Sequence, residues 1–351
     1  MLLYIHIPFC DSKCNYCSFN SYTHLHPLKK SYMQALYTQL EKNLQKYSPQ
    51  IETVFIGGGT PSTIDPLKYK YIIQTIKPYL VCDDIEITIE ANPNSATPQW
   101  LETIYQSGIN RISFGVQSFN DQKLNFLARN HNKNQAINAI NKAHAIGFEH
   151  INCDIIYDTS LDTKQLLQED MNIISNLPID HVSAYSLTIE EGTKFFDKSH
   201  VKKENQHLTE FLFDTLHNMG FEQYEISNFA KDHEARSTHN MGYWEYKEYL
   251  GIGSGAVGRI SNQRYTIQKD VVQYIQNPFD TTIEDLSDEE MFTEKILLGL
   301  RSCVGIDTEI FSSNQLQKVQ ELIANKNLIK TDGKIYSTNY LLADEIALYL
   351  L

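Results

Sequence analysis

Positive charge is scarce in this chain. Its 30 lysines and arginines stand against 43 aspartates and glutamates, a formal net charge of −13 over 351 residues. A general nucleic-acid binder carries a basic patch or a basic pI, and this balance argues against that class. Long apolar runs are also missing: no stretch approaches the roughly 20 apolar residues that a membrane helix needs. The N-terminus shows no charged segment followed by an apolar run and a small-residue cleavage site, so no secretory leader is expected. Cysteine is sparse, six residues at 10, 14, 17, 82, 153 and 303, three clustered and three scattered. That is no disulfide framework; in a reducing compartment clustered cysteines read as metal or redox ligands. Internal repeats and low-complexity tracts are absent. These features predict a cytoplasmic globular protein with no nucleic-acid partner and no membrane span.

What is present is size and alternation. The chain exceeds the roughly 250–300 residues at which single cores stop growing, and 42% hydrophobic content is ample for a packed interior. Apolar runs predict strands at Leu3–Ile7, Thr53–Ile56, Ile85–Glu90, Arg111–Val116, Ile151–Tyr157 and Val182–Leu187. Helical patterns fall between them, near Lys30–Lys46, Pro66–Tyr79, Pro98–Ser107, Asn134–Ile146 and Lys164–Asn176. Pro66 and Pro98 suit first helical turns, and Gly108 and Gly147 suit helix ends. Strands interleaved with helices imply an α/β fold with a parallel sheet and right-handed crossovers. Six such steps fit a partial barrel or a doubly wound sheet. In either, functional groups collect at the C-terminal ends of the strands.

The rhythm changes after residue 190. A helix over Glu204–Met219 stops at Gly220, and a polar, aromatic-rich stretch with His239, Tyr243 and Trp244 follows. The glycine-rich Gly251–Gly258 comes next. From residue 286 the pattern is helix (Asp288–Leu300), helix (Asn314–Ala324), hairpin at Asp332-Gly333 and helix (Ala343–Leu351), a small winged-helix-like α+β module. The expected units are residues 1–190, 191–285 and 286–351.

Behind the first strand lies Cys10-Asp-Ser-Lys-Cys14-Asn-Tyr-Cys17. This C-x3-C-x2-C run supplies three thiolates. A four-iron cluster held by three cysteines keeps one iron free for a small molecule, thiolates being the usual cluster ligands. Structural zinc is the rival; it takes four ligands, often as paired C-x2–4-C units, and here His6, His24 or His26 would have to be the fourth. Gly57-Gly58-Gly59-Thr60-Pro61 follows strand two. It reads as a tight turn or as a place where backbone meets a ligand, and it matches neither the Walker nor the dinucleotide pattern. Glu90, Gln117, Arg129 and Asp154 are each uninformative alone, solvated polar residues being the ordinary case. Asp154 stands out because it interrupts an apolar run, and a buried carboxylate needs a partner. His239 and Tyr243, four apart, share a face if helical. Both residue types ligate haem iron, and both also build aromatic packing clusters.

Taken together these residues have a familiar order. Tyr4-Ile-His-Ile-Pro-Phe-Cys10 with the cysteine run resembles the radical S-adenosylmethionine proteins related to oxygen-independent coproporphyrinogen III oxidase. The resemblance extends through Gly57-Gly-Gly-Thr-Pro-Ser62, Ile89-Glu-Ala-Asn-Pro93, Arg111–Phe119, Arg129 and Asn152-Cys-Asp-Ile-Ile156. It covers residues 2–190 and, more loosely, the rest. Within that family the chain is similar to a haem-chaperone branch. The oxidase's fourth cysteine is replaced by Phe19, the motif strand begins at Leu2 without a long extension, and His239-Asn240-Met-Gly-Tyr243-Trp244 matches that branch's HNxxYW signature. After strand five, Asp158-Thr159-Ser160 departs from the family's usual Gly-Leu-Pro.

The resemblance implies a partial (β/α)6 radical-SAM barrel with a [4Fe-4S] cluster in its C-terminal mouth. Cys10, Cys14 and Cys17 would hold three irons and S-adenosylmethionine the fourth. Tyr4, Tyr16, Gly58, Gly59, Thr60, Glu90, Gln117, Arg129 and Asp154 would line the cofactor pocket, and His239, with Tyr243 as second choice, would bind haem. The implied partners are haem, a haem-acceptor protein and an electron donor such as a flavodoxin or ferredoxin. The implied alternative is the oxidase itself, decarboxylating coproporphyrinogen III by radical hydrogen abstraction.

Overall fold

The computed structural model describes residues 1–351. Six parallel strands lie side by side in chain order: β1 (Leu2–Ile7), β2 (Thr53–Gly58), β3 (Glu86–Ala91), β4 (Arg111–Gln117), β5 (His150–Tyr157) and β6 (His181–Ser186). Helices α1 (Lys29–Tyr47), α2 (Leu67–Ile76), α3 (Pro98–Gln106), α5 (Lys133–Ile146) and α6 (Lys164–Ile174) cross between them. A short α4 (Asp121–Phe126) precedes α5; its six residues are too few to show a period, and the sequence did not reveal it. Strand positions agree with expectation to within a residue or two. The helix expected at Pro66–Tyr79 ends at Ile76. Pro78 has no N–H to continue the helical ladder, and Lys77–Tyr79 tightens into a 3-10 turn instead.

The strands form a barrel wall because their side chains alternate between two faces. Leu3, Ile5 and Ile7 of β1, Val54 and Ile56 of β2, Ile87 and Ile89 of β3, and Ile112, Phe114 and Val116 of β4 join one apolar core with the helices. Period two sends the intervening side chains to the opposite face, the lumen. Most of them are polar or small: Tyr4 and His6, Gly57, Thr88 and Glu90, Ser113 and Gly115, Asn152 and Asp154, Ser183 and Tyr185. Leu2, Phe55 and Ile156 are the apolar members of those rows, Ile156 packing with Leu127 and Leu187 at the mouth. Register then sets their heights: Glu90 pairs with Ser113, Ser113 with Asn152 and Asn152 with His181.

The barrel does not close. On one side β8 (Asn228–Ala230) and β7 (Glu222–Gln223) add antiparallel to β6; on the other, β9 (Tyr249–Ile252) adds parallel to β1 and carries β10 (Val257–Ile260), β11 (Gln263–Ile267) and β12 (Thr281–Asp285). The segment after residue 190 thus extends the same 12-stranded sheet, which runs of two to five residues did not announce. Its helix α7 (Gln206–Asn218) packs beside α6. The short α8 (Thr238–Trp244) lies across the N-terminal end of the barrel, and α9 (Val271–Gln276) packs on α1, with the Tyr274 and Tyr32 rings 5.1 Å apart. Beyond them α10 (Asp288–Leu300), α11 (Ser313–Ala324), α12 (Ala343–Leu350) and a three-stranded sheet close around their own apolar core.

One buried pair ties the mouth of the barrel together. Lys123 of α4 is fully buried; it donates to the Ile156 carbonyl at 2.6 Å and to Asp162 Oδ1 at 2.5 Å. Asp162 in turn accepts from the Thr159 N–H and hydroxyl, both at 2.8 Å, which orders the loop around Asp158-Thr159-Ser160. The residues after Lys123 then hold the cysteine loop, because Asn15 donates to the Leu127 and Phe126 carbonyls. Removing one partner of a buried pair leaves an uncompensated charge. Lys123→Met should therefore lower unfolding stability by about 3–5 kcal/mol, measured by urea denaturation followed by circular dichroism; a loss below about 1 kcal/mol would place the pair among weak surface bridges.

Candidate functional site

Pro8 closes β1, and the chain turns at once into the cysteine loop. Backbone bonds between Pro8, Cys10 and Tyr22 clasp its base. All three thiols are free; Cys10 is buried, Cys14 and Cys17 half-buried. Two of the sulfurs meet a donor: Thr60 Oγ1 lies 3.4 Å from Cys10 Sγ and Arg129 Nη1 lies 3.2 Å from Cys14 Sγ. Burial pushes the Cys10 and Cys17 thiols up from their ordinary value. Of the histidines that a zinc site would need as its fourth ligand, His6 meets the Tyr4 hydroxyl and the Asn20 carbonyl, and His26 meets the Cys10 carbonyl.

The glycine turn after β2 passes directly beneath this loop. Gly58 has φ +113°, and a Cβ there would stand 2.4 Å from the His6 ring; one on Gly59 would stand 2.8 Å from the Phe9 carbonyl. Only glycine fits such an approach. The Gly58 N–H donates to Glu90 Oε2 at 3.0 Å. Burial, reinforced by the Asp154 carboxylate, pushes Glu90 up to about 8. Asp154 rises to about 6 through burial, opposed by the Asn152 and Ser113 donors and by the Arg129 charge.

Arg129 is the cation of the mouth. Besides Cys14 it donates to Asn92 Oδ1 and to the Gly115 carbonyl, tying β3, β4 and the cysteine loop. Gln117 lies after a bulge in β4, at φ +72°; bulges and left-handed non-glycine residues often re-aim side chains at functional sites. Tyr16 lies half-buried against Arg129, and the loss of solvent around its hydroxyl raises its pKa. Two buried polar atoms here have no partner, Gln117 Oε1 and Arg129 Nε. Such orphans are costly unless a ligand or water meets them. The mouth therefore brings together Tyr4, Tyr16, Gly58, Gly59, Thr60, Glu90, Gln117, Arg129, Asp154 and the three cysteines.

It does not bring His239 or Tyr243 there. Both belong to α8 at the far end of the lumen. The Glu86 carboxylate, at the start of β3, accepts from the Thr238 and His239 N–H groups at 2.8 and 3.0 Å. Gly242 lies against Leu2, where a Cβ would come within 2.6 Å. His239 is fully buried, its Nδ1 2.8 Å from Thr53 Oγ1 and its Nε2 3.2 Å from the Tyr243 hydroxyl. As folded it offers no free nitrogen to an iron, and burial holds its pKa down to about 3. Beside α8 is a cavity of about 390 Å³ walled by Tyr185, Glu225, Asn228, Tyr243, Trp244 and Leu298. Glu225 Oε1, Asn228 Oδ1 and Trp244 Nε1 have no partner. Sequence reading missed Glu225 and Asn228, because the segment Tyr224–Asn228 carries no period and gains meaning only from its place beside β6; Tyr185 lay in an expected strand but carried no signal of its own.

The fold and the mouth define a radical S-adenosylmethionine protein. The family model described as the radical SAM superfamily matches residues 4–169. The chain aligns over 98% of its length with the heme chaperone HemW of Bacillus subtilis at 32% identity, covering 97% of that protein. It aligns with HemW of Lactococcus lactis at 31% identity over 96% of the chain and 93% of the relative. The mitochondrial radical S-adenosyl methionine domain-containing protein 1 of Danio rerio is 31% identical over 94% of this chain and 82% of its own. Among solved structures, coproporphyrinogen III oxidase (HemN) of Escherichia coli superposes with a TM-score of 0.83 at 19% identity, over 99% of this chain and 89% of that one, a likeness of fold. The chain belongs to the HemW family.

Glu90 gives a sign-definite prediction for the ligand-free protein. Its folded pKa of about 8 exceeds the ordinary 4.5, so the fold favours the protonated acid. That contribution is complete below about pH 4.5 and is lost as pH rises through about 8. Thermal midpoints should fall across this window, and Glu90→Gln, which keeps the acceptor for Gly58, should flatten the slope. Parallel slopes for variant and wild type would refute the shift.

Proposed function

We propose that this protein binds haem and passes it to an acceptor protein, with a [4Fe-4S] cluster and S-adenosylmethionine at the barrel mouth. The observation that carries the cofactor reading is the mouth itself: three free thiols on one loop, flanked by Arg129 and Thr60 donors and by buried polar atoms that lack partners. Cys10, Cys14 and Cys17 would hold the cluster, leaving one iron for the cofactor's amino and carboxylate groups. When bound, such a cluster supplies one electron to the sulfonium. The chain's own residues do the positioning. The Gly58–Gly59 backbone admits close approach, Glu90 and Asp154 accept from ammonium or ribose hydroxyls, and Arg129 offsets the negative charge gathered there.

The haem reading rests on family membership and on the HNxxYW helix. Tyr243 and Trp244 wall the cavity beside α8, where the unpartnered Trp244 Nε1–H suits a carboxylate such as a propionate. His239 is our choice for the iron. Because both its nitrogens are engaged, ligation requires α8 to leave the barrel floor.

Anaerobic reconstitution with iron and sulfide, followed by haem titration, tests this. Wild type should develop a saturating Soret band, and His239→Ala should weaken it. Haem should also raise deuterium uptake at the amides of Thr238–Trp244. An equal band in His239→Ala with no change in exchange would move the haem onto the Tyr243–Trp244 wall. No band at all, with the cluster intact, would remove the haem function.

A further inference from the structure

Asp154 is held by a chain of hydrogen bonds whose direction can be worked out atom by atom. The Asn152 amide lies between two walls of partners. One of its atoms, assigned as Nδ2, is 2.7 Å from Asp154 Oδ1 and 2.8 Å from Ser113 Oγ. The other, Oδ1, is 2.7 Å from His181 Nδ1 and 3.2 Å from Ser183 Oγ. The two ends of an amide are told apart by their neighbours. Turned the other way, the amide oxygen would face a carboxylate oxygen at 2.7 Å, acceptor against acceptor. The N–H2 group therefore points at Asp154.

That choice fixes the next link. Asn152 Oδ1 only accepts, so His181 Nδ1 carries the proton. His181 Nε2 lies 2.7 Å from the Tyr224 hydroxyl. That hydroxyl already accepts the Ser237 N–H at 3.2 Å, so its own proton goes to Nε2. The imidazole is neutral: burial, with Arg111 and His150 nearby, keeps its pKa well below the ordinary value. Every link is buried in the wall between β5 and β6, and Tyr224 reaches it from the segment before β8. None of Tyr224, His181 or Asn152 bonds to the cysteine loop.

We propose that Tyr224, His181 and Asn152 form a positioning chain that aims the Asn152 amide at Asp154, holding one edge of that carboxylate so that the other can receive S-adenosylmethionine. The inference rests on the cofactor reading above. These are positioning residues, because they act on the cofactor through Asp154. The chain is anchored at Ser237, the N-cap of α8, so the floor of the barrel and its cofactor wall share one hydrogen-bonded line.

The test is equilibrium binding of S-adenosylmethionine to the cluster-reconstituted protein, in wild type and in His181→Phe, His181→Asn and Tyr224→Phe. Asparagine places an N–H where His181 Nδ1 was, restoring the bond to Asn152 in a smaller side chain; phenylalanine fills the volume with no donor. One buried hydrogen bond is worth about 0.5–1.5 kcal/mol, so His181→Phe should raise Kd about 2–10-fold and Tyr224→Phe about 2–3-fold. His181→Asn should return to within about 2-fold of wild type. A role in packing alone predicts the reverse, since asparagine leaves the larger void. Wild-type affinity in His181→Phe, or His181→Asn no tighter than His181→Phe with clusters intact, overturns the proposal. Should His181→Phe fail to take up a cluster, Tyr224→Phe decides alone: unchanged affinity overturns the chain, weakened affinity supports it. A wild-type protein that carries its cluster and binds no cofactor brings down the cofactor reading first, and this inference with it.

Discussion

The structure depends on one constraint: along each barrel strand, apolar side chains point outward to the helices and polar ones inward. Most small barrels fill their interior with branched apolar residues in layers. Here Tyr4, Glu90, Ser113, Asn152, Asp154 and Tyr185 occupy those layers, and the apolar set Leu3, Ile56, Ile89, Phe114 and Ile155 packs outside. A one-residue slip of any strand would exchange the two sets, placing carboxylates in the helix layer. Register is thus specified by the same alternation that makes the lumen chemically competent. The cost is a lumen of polar groups that must find partners, and the Asn152 network and the orphaned Gln117 and Thr88 atoms are two outcomes of that demand.

Charge at the mouth follows from the same arrangement. Glu90 and Asp154 point into the lumen from strands two apart in the wall, and the Asp154 charge adds to the cost of ionising Glu90. Arg129 is the counterweight. Its planar fork reaches a sulfur, an amide oxygen and a backbone carbonyl at once, which a lysine's point charge cannot do. It therefore acts as both an electrostatic and a mechanical tie. The α4 segment that delivers it is fastened by the Lys123–Asp162 pair, so a bond outside the thiol loop governs where the guanidinium stands.

The barrel was largely legible from residues 2–190, because apolar runs of about six residues punctuated by Pro66, Pro98, Gly108 and Gly147 carry an unambiguous βα rhythm. Chain topology put Cys10, Gly58, Glu90 and Gln117 at or near the C-terminal ends of strands, but their grouping as one cofactor pocket came from the family resemblance, since each is uninformative alone. What the sequence did not reveal is what tertiary pairing creates. Strands β7 and β8 hold two and three residues, below any periodicity, and form only because β6 offers an edge. The glycine-rich Gly251–Gly258 gave no strand signal, yet it supplies parts of β9 and β10, its glycines making room for Tyr265 and the Val257 backbone. His239 and Tyr243 do share a helix face, with rings 4.9 Å apart, yet nothing in their spacing says that the face is turned into the barrel floor.

That floor gives the fold its directional character. Strand β2 begins at Thr53, bonded to His239, and ends at Gly58, bonded to Glu90. Six residues at about 3.3 Å each separate the two ends by less than about 20 Å. The HNxxYW helix and the thiol loop are therefore opposite closures of one shaft. In a packed barrel the two ends would be insulated by a hydrophobic plug. Here the apolar contribution along β2 is a single ring, Phe55, set between Tyr4 at 6.3 Å and His239 at 5.3 Å, so it joins the two ends instead of separating them. On the next strand Glu86, which caps α8, and Glu90, which meets the Gly58 turn, are four residues apart and face the same side. One strand therefore carries a carboxylate contact at each end of the lumen, Glu86 to the helix that closes the floor and Glu90 to the glycine turn beneath the thiol loop.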